Sequence, residues 1–322
     1  MPTREHEMQG QKRGDPPEGP TDLERPSWLA LLKRTFKGFK KDNLSDWAAA
    51  LTYYAVLSIF PMLAALVGLL GFIGPSATQP LLDNLSSIAP GPAKQIFTSA
   101  ITNIQQNQAG AGIAAIIALV LALWSASGYV AAFMRASNAI YEVPEGRPIW
   151  KTAPIRFGVT VVLVLLLVVS GVMVVFTGGL AQKTGNLLGL GSTFVTVWDI
   201  AKWPVLVLIV SFMFALLYWA APNVRHPRFR WVSPGAVAAV VVWIIASAAF
   251  AFYVANFSSY NKTYGSLGGV IAFLVWLWIS NVVILLGAEL NAELERGRQI
   301  EAGHPEDTEP FLEPRDTRKL DD

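Results

Sequence analysis

The chain contains no cysteine and only three histidines, His6, His226 and His304. Without cysteine, neither a disulfide bond nor a thiolate metal site can form. The histidines are far apart in the sequence, which argues against a histidine-built zinc or haem site within one chain. The sequence therefore predicts no metal and no cofactor.

Charged residues are also scarce. They make up 15% of the chain, whereas hydrophobic residues make up 53%. A soluble domain usually carries about 25% charged residues, so this balance is typical of a helix bundle in lipid. The first forty or so residues (about one eighth of the chain) are polar, rich in proline and charged. We therefore expect no secretory signal, and the first apolar segment should remain as an anchor.

Six long apolar runs dominate the rest of the sequence. At about 1.5 Å of rise per residue, each is long enough to cross a hydrocarbon layer of roughly 30 Å. Backbone groups in lipid must be satisfied internally, so runs of this kind are helices. The predicted fold class is all-α, a polytopic membrane helix bundle with six transmembrane helices. The predicted spans are 48–73, 111–133, 157–180, 203–221, 235–255 and 268–288.

The loops between these runs alternate between many and few basic residues. Lysine and arginine are abundant at 33–41, just before the first run, and at 135–156, between the second and third runs. Between the first two runs there is only Lys94. By the positive-inside rule, this alternation predicts that both termini lie in the cytoplasm.

The regions outside the predicted spans have different characters. Residues 1–26 and 299–322 are rich in proline, glycine and charge, and are predicted to be disordered tails around a membrane domain at 27–298. The segment 27–41 has helical period, with apolar residues on one face and lysines on the other. It is predicted to lie at the cytoplasmic lipid headgroups. The alternative is a basic linker that only sets topology. The apolar face of this segment comprises Trp28, Leu32, Phe36 and Phe39.

The loop between the first two spans contains two apolar stripes separated by the sequence Pro90-Gly91-Pro92. Proline cannot continue a helix, so the loop is predicted to form two short amphipathic extracytoplasmic helices. They would act as a packed cap on the bundle or as a lid over a cavity.

The first span offers four candidate functional residues, Tyr53, Tyr54, Ser58 and Pro61. Pro61 lies in the middle of the span and frees the carbonyl of Leu57, which should bend the helix or leave an acceptor exposed. The Ser58 hydroxyl is close enough to help satisfy that acceptor. Such a kink can open an interior cavity, or it can be a packing adjustment alone.

The second span carries small residues that lead to a charge. Gly128, Ala132 and Arg135 share one side of the predicted helix, and the small side chains allow another helix to approach. Arg135 is then predicted to face the bundle, with Asn138 one turn further along. A buried cation in this position can meet an anionic headgroup or substrate. The alternative is a topology-setting arginine that pairs with a neighbouring carboxylate.

The last span contains two polar candidates, Asn281 and Glu289. Asn281 is the deeper of the two and must find a partner within the protein. Glu289 lies at the predicted cytoplasmic boundary, where it could pair with Arg135 or Arg296. Interhelical pairing is the main interpretation of this carboxylate, and proton coupling is the alternative.

Several of these segments resemble one family of membrane proteins. The stretch Trp47–Pro61 resembles the opening span of the YihY/virulence-factor BrkB family of bacterial inner-membrane proteins. Trp124–Asn138 fits its second span, and Tyr264–Ile271 followed by Gly287–Ala292 resembles its end. The resemblance covers residues 28–296, nearly everything outside the tails. It implies a six-helix integral protein of the bacterial cytoplasmic membrane, but it brings neither a settled activity nor any catalytic residue.

Members of that family have carried a ribonuclease label, which this sequence does not favour. Metal-dependent cleavage of RNA needs clustered histidines and carboxylates. Metal-free cleavage needs an acid–base pair and a basic groove that follows RNA. Neither pattern is visible, so we expect that the chain is not an enzyme and does not bind nucleic acid.

Two functional hypotheses remain. The first is a transporter or flippase-like protein for an amphipathic anionic envelope molecule, with membrane lipids, an anionic lipid or an envelope precursor as its partner. The second is a non-catalytic scaffold of envelope machinery that works through its tails. Small-residue faces also allow a homo-oligomer, because they permit helix packing between chains as well as within one.

Overall fold

The structure is a computed structural model that describes residues 25–73, 108–175, 191–225, 233–256, 266–305 and 309–320. Most of the described residues lie in helices. The helices are α1 (Arg25–Lys41), α2 (Leu44–Ile73), α3 (Gln108–Ile140), α4 (Ile149–Val175), α5 (Gly191–Ala220), α6 (Pro234–Asn256) and α7 (Ser266–Glu301).

The predicted all-α membrane bundle is confirmed. Among the described residues, α3, α4, α5, α6 and α7 contain segments long and apolar enough to cross a membrane. The 30-residue helix α2 occupies the first predicted span, so the arrangement is consistent with six spans. The two helices predicted between the first two spans, and the tail at 1–24, lie outside the described residues.

Helices α2 and α3 form the most extensive helix–helix contact of the bundle. Leu44, Ala48 and Leu51 of α2 are fully buried. The ring of Tyr54 lies on Gly128 of α3, where a Cβ atom would stand 2.9 Å from the Tyr54 Cδ1 atom. The small-residue face predicted for the second span is therefore used, at Gly128, for close packing against α2.

Helix α1 is present where an amphipathic helix was predicted, and it packs along α7. Leu31 and Thr35 are buried on the α7 side, whereas Leu32 and Phe36 are exposed. The exposed apolar pair and the neighbouring lysines suit the headgroup region of a membrane. Its buried side makes α1 part of the folded bundle.

Residues 309–320 are not the disordered tail that the sequence predicted. Leu312 is buried and joins the main core, and the Phe311 ring stacks on Tyr141 with ring centres 5.8 Å apart. The Arg315 N–H donates to the Asn223 carbonyl oxygen at 2.9 Å. Two adjacent apolar side chains inserted between helix ends hold this polar segment in place.

Helices α6 and α7 approach each other closely at two glycines. The Ser233 hydroxyl caps α6 by accepting a hydrogen bond from the Ala236 N–H at 3.1 Å. One residue into α6, a Cβ atom on Gly235 would overlap the carbonyl oxygen of Gly287. A backbone carbonyl inside a helix cannot move aside as a flexible side chain can, so position 235 requires glycine.

The variant Gly235→Leu is therefore expected to lower the free energy of unfolding by about 2–3 kcal/mol, the usual cost of overpacking. A matched control is Gly158→Leu in α4, because a Cβ atom at position 158 meets nothing within 4 Å. Thermal unfolding of both purified variants in detergent checks the difference. Equal unfolding midpoints would show that the α6–α7 approach is looser than described.

Candidate functional site

Charged residues of α1, α7 and the turn after α3 converge at one end of the bundle, here called the α1 end. The Arg34 Nε atom donates to Glu293 at 2.8 Å, and Arg296 donates to Glu142 at 2.6 Å. Lys41 also donates to Glu142. Glu142 has a φ of 54°, a left-handed conformation that is uncommon for residues other than glycine. Its two cationic partners hold that turn against α1 and α7.

The carboxylate of Glu289 lies at the centre of this end. Only 2% of the residue is exposed, and its Oε2 atom has no hydrogen-bond partner among the described residues. The charges of Asp42, Glu293 and Arg296 lie close enough to act on it. Glu289 thus forms no ion pair among the described residues, so the pairing with Arg135 or Arg296 that the sequence suggested is not seen, although the charge of Arg296 acts on it.

Glycine 38 of α1 makes this arrangement sterically possible. A Cβ atom at Gly38 would overlap the Glu289 carboxylate. The carboxylate is therefore held directly under α1, and any larger residue at position 38 would displace it. Protonation of Glu289, or movement of α1, would each change this contact.

Asp42 follows α1 and is the other unusual carboxylate at this end. Burial raises the pKa of the Asp42 carboxyl to about 6, and the charge of Glu142 adds to the rise. Lys41 and Arg296 act in the opposite direction, and Glu293 again raises the pKa. Asp42 therefore holds a proton in the folded protein at pH values where the unfolded chain has lost it.

This shift has a definite sign for stability. Between about pH 4 and pH 6 the folded protein binds more protons at Asp42 than the unfolded chain does, so the free energy of unfolding falls as the pH rises. The variant Asp42→Asn is expected to lose this part of the pH dependence and to be more stable than wild type at about pH 7. Thermal unfolding midpoints across that range check it. Parallel pH profiles for the two proteins would contradict it.

Asn281 lies deeper in the bundle, and both atoms of its amide group have hydrogen-bond partners. The Tyr129 hydroxyl donates to Asn281 Oδ1 at 2.9 Å, and the Asn281 amide donates to the Thr52 hydroxyl oxygen at 3.0 Å. These bonds join α2, α3 and α7 across the interior. The expected partners of Asn281 within the protein are thus the Tyr129 and Thr52 hydroxyls.

Asn138 belongs to a second buried polar cluster, at the turn after α3. Its amide donates to Glu145 at 2.9 Å, and its Oδ1 accepts a hydrogen bond from the Asn223 N–H at 2.7 Å. Arg147 is 2% exposed and donates to Glu145 at 2.7 Å and to the carbonyl oxygen of Ala221 at 2.8 Å. This cluster ties the α3–α4 turn to the end of α5.

The first-span candidates take different environments. Tyr53 is largely exposed, and Tyr54 packs on Gly128. The Ser58 hydroxyl donates to the carbonyl of Ala55 at 2.7 Å rather than to that of Leu57. Helix α2 continues through Pro61 to Ile73. A functional kink at this proline stays a prediction.

Arg135 does not face the bundle, in contrast to the prediction. Arg135 is exposed and makes no ion pair with Glu289. The cation whose charge acts on the Glu289 carboxylate is Arg296. The buried positions on its turn of α3 are taken by Ala132, Phe133 and Ala136. A long charged side chain keeps its solvation by leaving that packed surface.

Comparison with known proteins identifies a family to which the chain is similar. The model of the family described as virulence factor BrkB matches residues 35–310. The chain is similar to a putative ribonuclease-like protein, YfkH, of Bacillus subtilis, with 32% identity over 86% of this chain and 99% of the relative. It is also similar to a UPF0761 membrane protein of Aromatoleum aromaticum, with 30% identity over 79% of this chain and 62% of the relative. No solved structure matches the chain.

Proposed function

We propose that this chain, which belongs to the virulence factor BrkB family, is a transporter or flippase-like protein for an amphipathic anionic envelope molecule. It is an integral membrane protein. The proposal includes its location in the bacterial cytoplasmic membrane, both termini in the cytoplasm, and a function that is not enzymatic. The ribonuclease-like name belongs to the Bacillus relative and is not carried over.

The buried carboxylate of Glu289 carries the proposal. It lies in a helix long enough to cross the membrane, its Oε2 has no partner among the described residues, and α1 covers it at Gly38. An unpaired buried polar group costs about 1–3 kcal/mol. Ionisable residues within membrane helices are commonly functional, because a purely structural helix gains nothing from that cost.

The contact between Gly38 and the Glu289 carboxylate can be closed or open, which gives two states for a transport cycle. In one state the Glu289 carboxylate lies under Gly38, and the ion pair of Arg34 with Glu293 holds α1 against α7. In the other, α1 moves away and water or substrate reaches the carboxylate. Uptake of a proton removes the negative charge of Glu289 and shifts the balance between these states. The proposal couples this proton to movement of the anionic molecule.

The scaffold alternative depends on free tails, and the packing of residues 309–320 weakens it. Removal of 299–322 would take away Asp316, whose backbone carbonyl binds the Asn223 amide at 2.8 Å, so it would damage the bundle itself. Removal of residues 1–24 is the cleaner test. A transporter should keep its activity after that deletion, whereas a scaffold that works through this tail should lose its partners.

The direct experiment is translocation of a fluorescent anionic lipid in proteoliposomes that contain the purified protein, with empty liposomes as the control. Movement faster than in empty liposomes supports the proposal. If lipids with several different anionic headgroups all moved no faster than in empty liposomes, the proposal would be refuted and the scaffold would be favoured. The deletion of residues 1–24 is measured in the same assay.

A further inference from the structure

We propose that Arg156, together with Trp124 and Phe157, forms a binding site for the phosphate of an anionic phospholipid on the face made by α3 and α4. This site is separate from the Glu289 contact. Its occupation does not depend on transport, so the inference goes beyond the proposed function.

Arg156 lies inside α4 rather than in the loop before it. It is part of the membrane-crossing segment Ile149–Val174, and the rise of a helix places it about 10 Å beyond the first residue of α4. Its guanidinium carbon is 4.8 Å from the centre of the Phe157 ring and 5.9 Å from that of Trp124. The guanidinium group therefore lies over both rings, a cation–π arrangement that does not engage its N–H groups as hydrogen-bond donors.

The donors of Arg156 need an acceptor. Its Nε atom is buried and has no hydrogen-bond partner among the described residues, and no described carboxylate forms an ion pair with it. Five other basic residues towards the α1 end have carboxylate partners: Arg34, Lys41, Arg147, Lys151 and Arg296. An unpaired guanidinium within a membrane segment is costly, and a phosphate group satisfies it with two parallel charge-assisted hydrogen bonds.

The surroundings favour a lipid over a free anion. Trp124 is 64% exposed and continues an exposed apolar stripe of α3 that includes Ile117 and Val120. Trp150, six positions before Arg156, is also exposed. Exposed tryptophans of membrane helices are enriched at the headgroup level, and the exposed apolar stripe that leads to Trp124 is suited to acyl chains. A ligand that reaches Arg156 along this surface needs both an acyl chain and a phosphate.

Native mass spectrometry of the purified protein with added phosphatidylglycerol tests the site. The variant Arg156→Gln is expected to weaken phosphatidylglycerol binding about tenfold, because a charge-assisted hydrogen bond is lost. The matched control is Arg135→Gln. Arg135 is an exposed arginine on the neighbouring helix α3, about 16 Å along that helix from Trp124. Binding by this control should change by less than about twofold.

A second variant keeps the test decisive if Arg156→Gln folds poorly. Trp124→Leu retains an apolar surface but removes one aromatic face, and it is expected to weaken binding about threefold. Phosphatidylcholine should bind more weakly than phosphatidylglycerol, and inorganic phosphate should not displace the lipid. Three results would each overturn the proposal: unchanged binding in folded Arg156→Gln and Trp124→Leu, an equal loss in Arg135→Gln, or displacement by inorganic phosphate.

Discussion

The variant Arg147→Met is expected to lose about 2–4 kcal/mol of folding free energy, because buried carbonyl oxygens and the half-buried Glu145 carboxylate lose a charged donor. The Arg147 guanidinium is fully enclosed and binds Glu145 together with the carbonyl oxygens of Ala220 and Ala221 at the end of α5. Methionine fills much of the same volume, so the loss reports the missing donors rather than a large cavity. Positive charge at the C-terminus of α5 also stabilises that helix.

The matched control is Arg225→Met. Arg225 pairs with Glu313 at 3.0 Å, but both side chains are exposed. Exposed ion pairs contribute about 0–1 kcal/mol, so this variant should unfold close to wild type. Thermal unfolding in detergent, followed by size-exclusion chromatography, compares the two. If Arg147→Met unfolded at the temperature of Arg225→Met, the polar cluster around Asn138 would not stabilise the turn as described.

The variant Glu289→Gln is expected to abolish the dependence of lipid translocation on an imposed proton gradient and to slow translocation about tenfold, within the usual range of coupling free energies. Glutamine has the shape of the protonated acid but cannot exchange a proton. It should therefore fold at least as well as wild type, because it removes an unpaired charge from beneath α1. A loss of transport in a stable protein separates function from folding.

Glu295→Gln serves as the control for that variant. Glu295 is on the same helix, and its carboxylate pairs with Arg298 at 3.0 Å. Its replacement should leave both the translocation rate and the gradient dependence near those of wild type. Equal loss in both variants would mean that negative charge on α7 matters in general, and that Glu289 has no special part.

The membrane fold was predictable because apolar length is a strong signal. Each span could be predicted from its own residues alone, and α2 to α7 occupy the predicted spans. The tail at 309–320 was harder, because its order depends on two apolar side chains, Phe311 and Leu312, which meet residues distant in sequence. Two residues cannot establish a period, so composition alone predicted disorder there.

The site was predictable only in part. Sequence position selected Glu289 and Asn281 as polar residues in an apolar helix, and both are buried. The prediction that Arg135 faces the bundle was wrong, because residues spaced along one side of a helix need not all be buried. Arg147 was counted only as a topology signal. Its partners at Ala220 and Ala221 are far away in sequence, so no local pattern could reveal them.

In the proposed mechanism, a proton at Glu289 drives movement of an anionic lipid. The most direct measurement is translocation of fluorescent phosphatidylglycerol by wild-type proteoliposomes, with and without an imposed proton gradient. We expect movement faster than in empty liposomes, and a further increase when the gradient is applied. Movement no faster than in empty liposomes, or a rate that ignores the gradient, would contradict it.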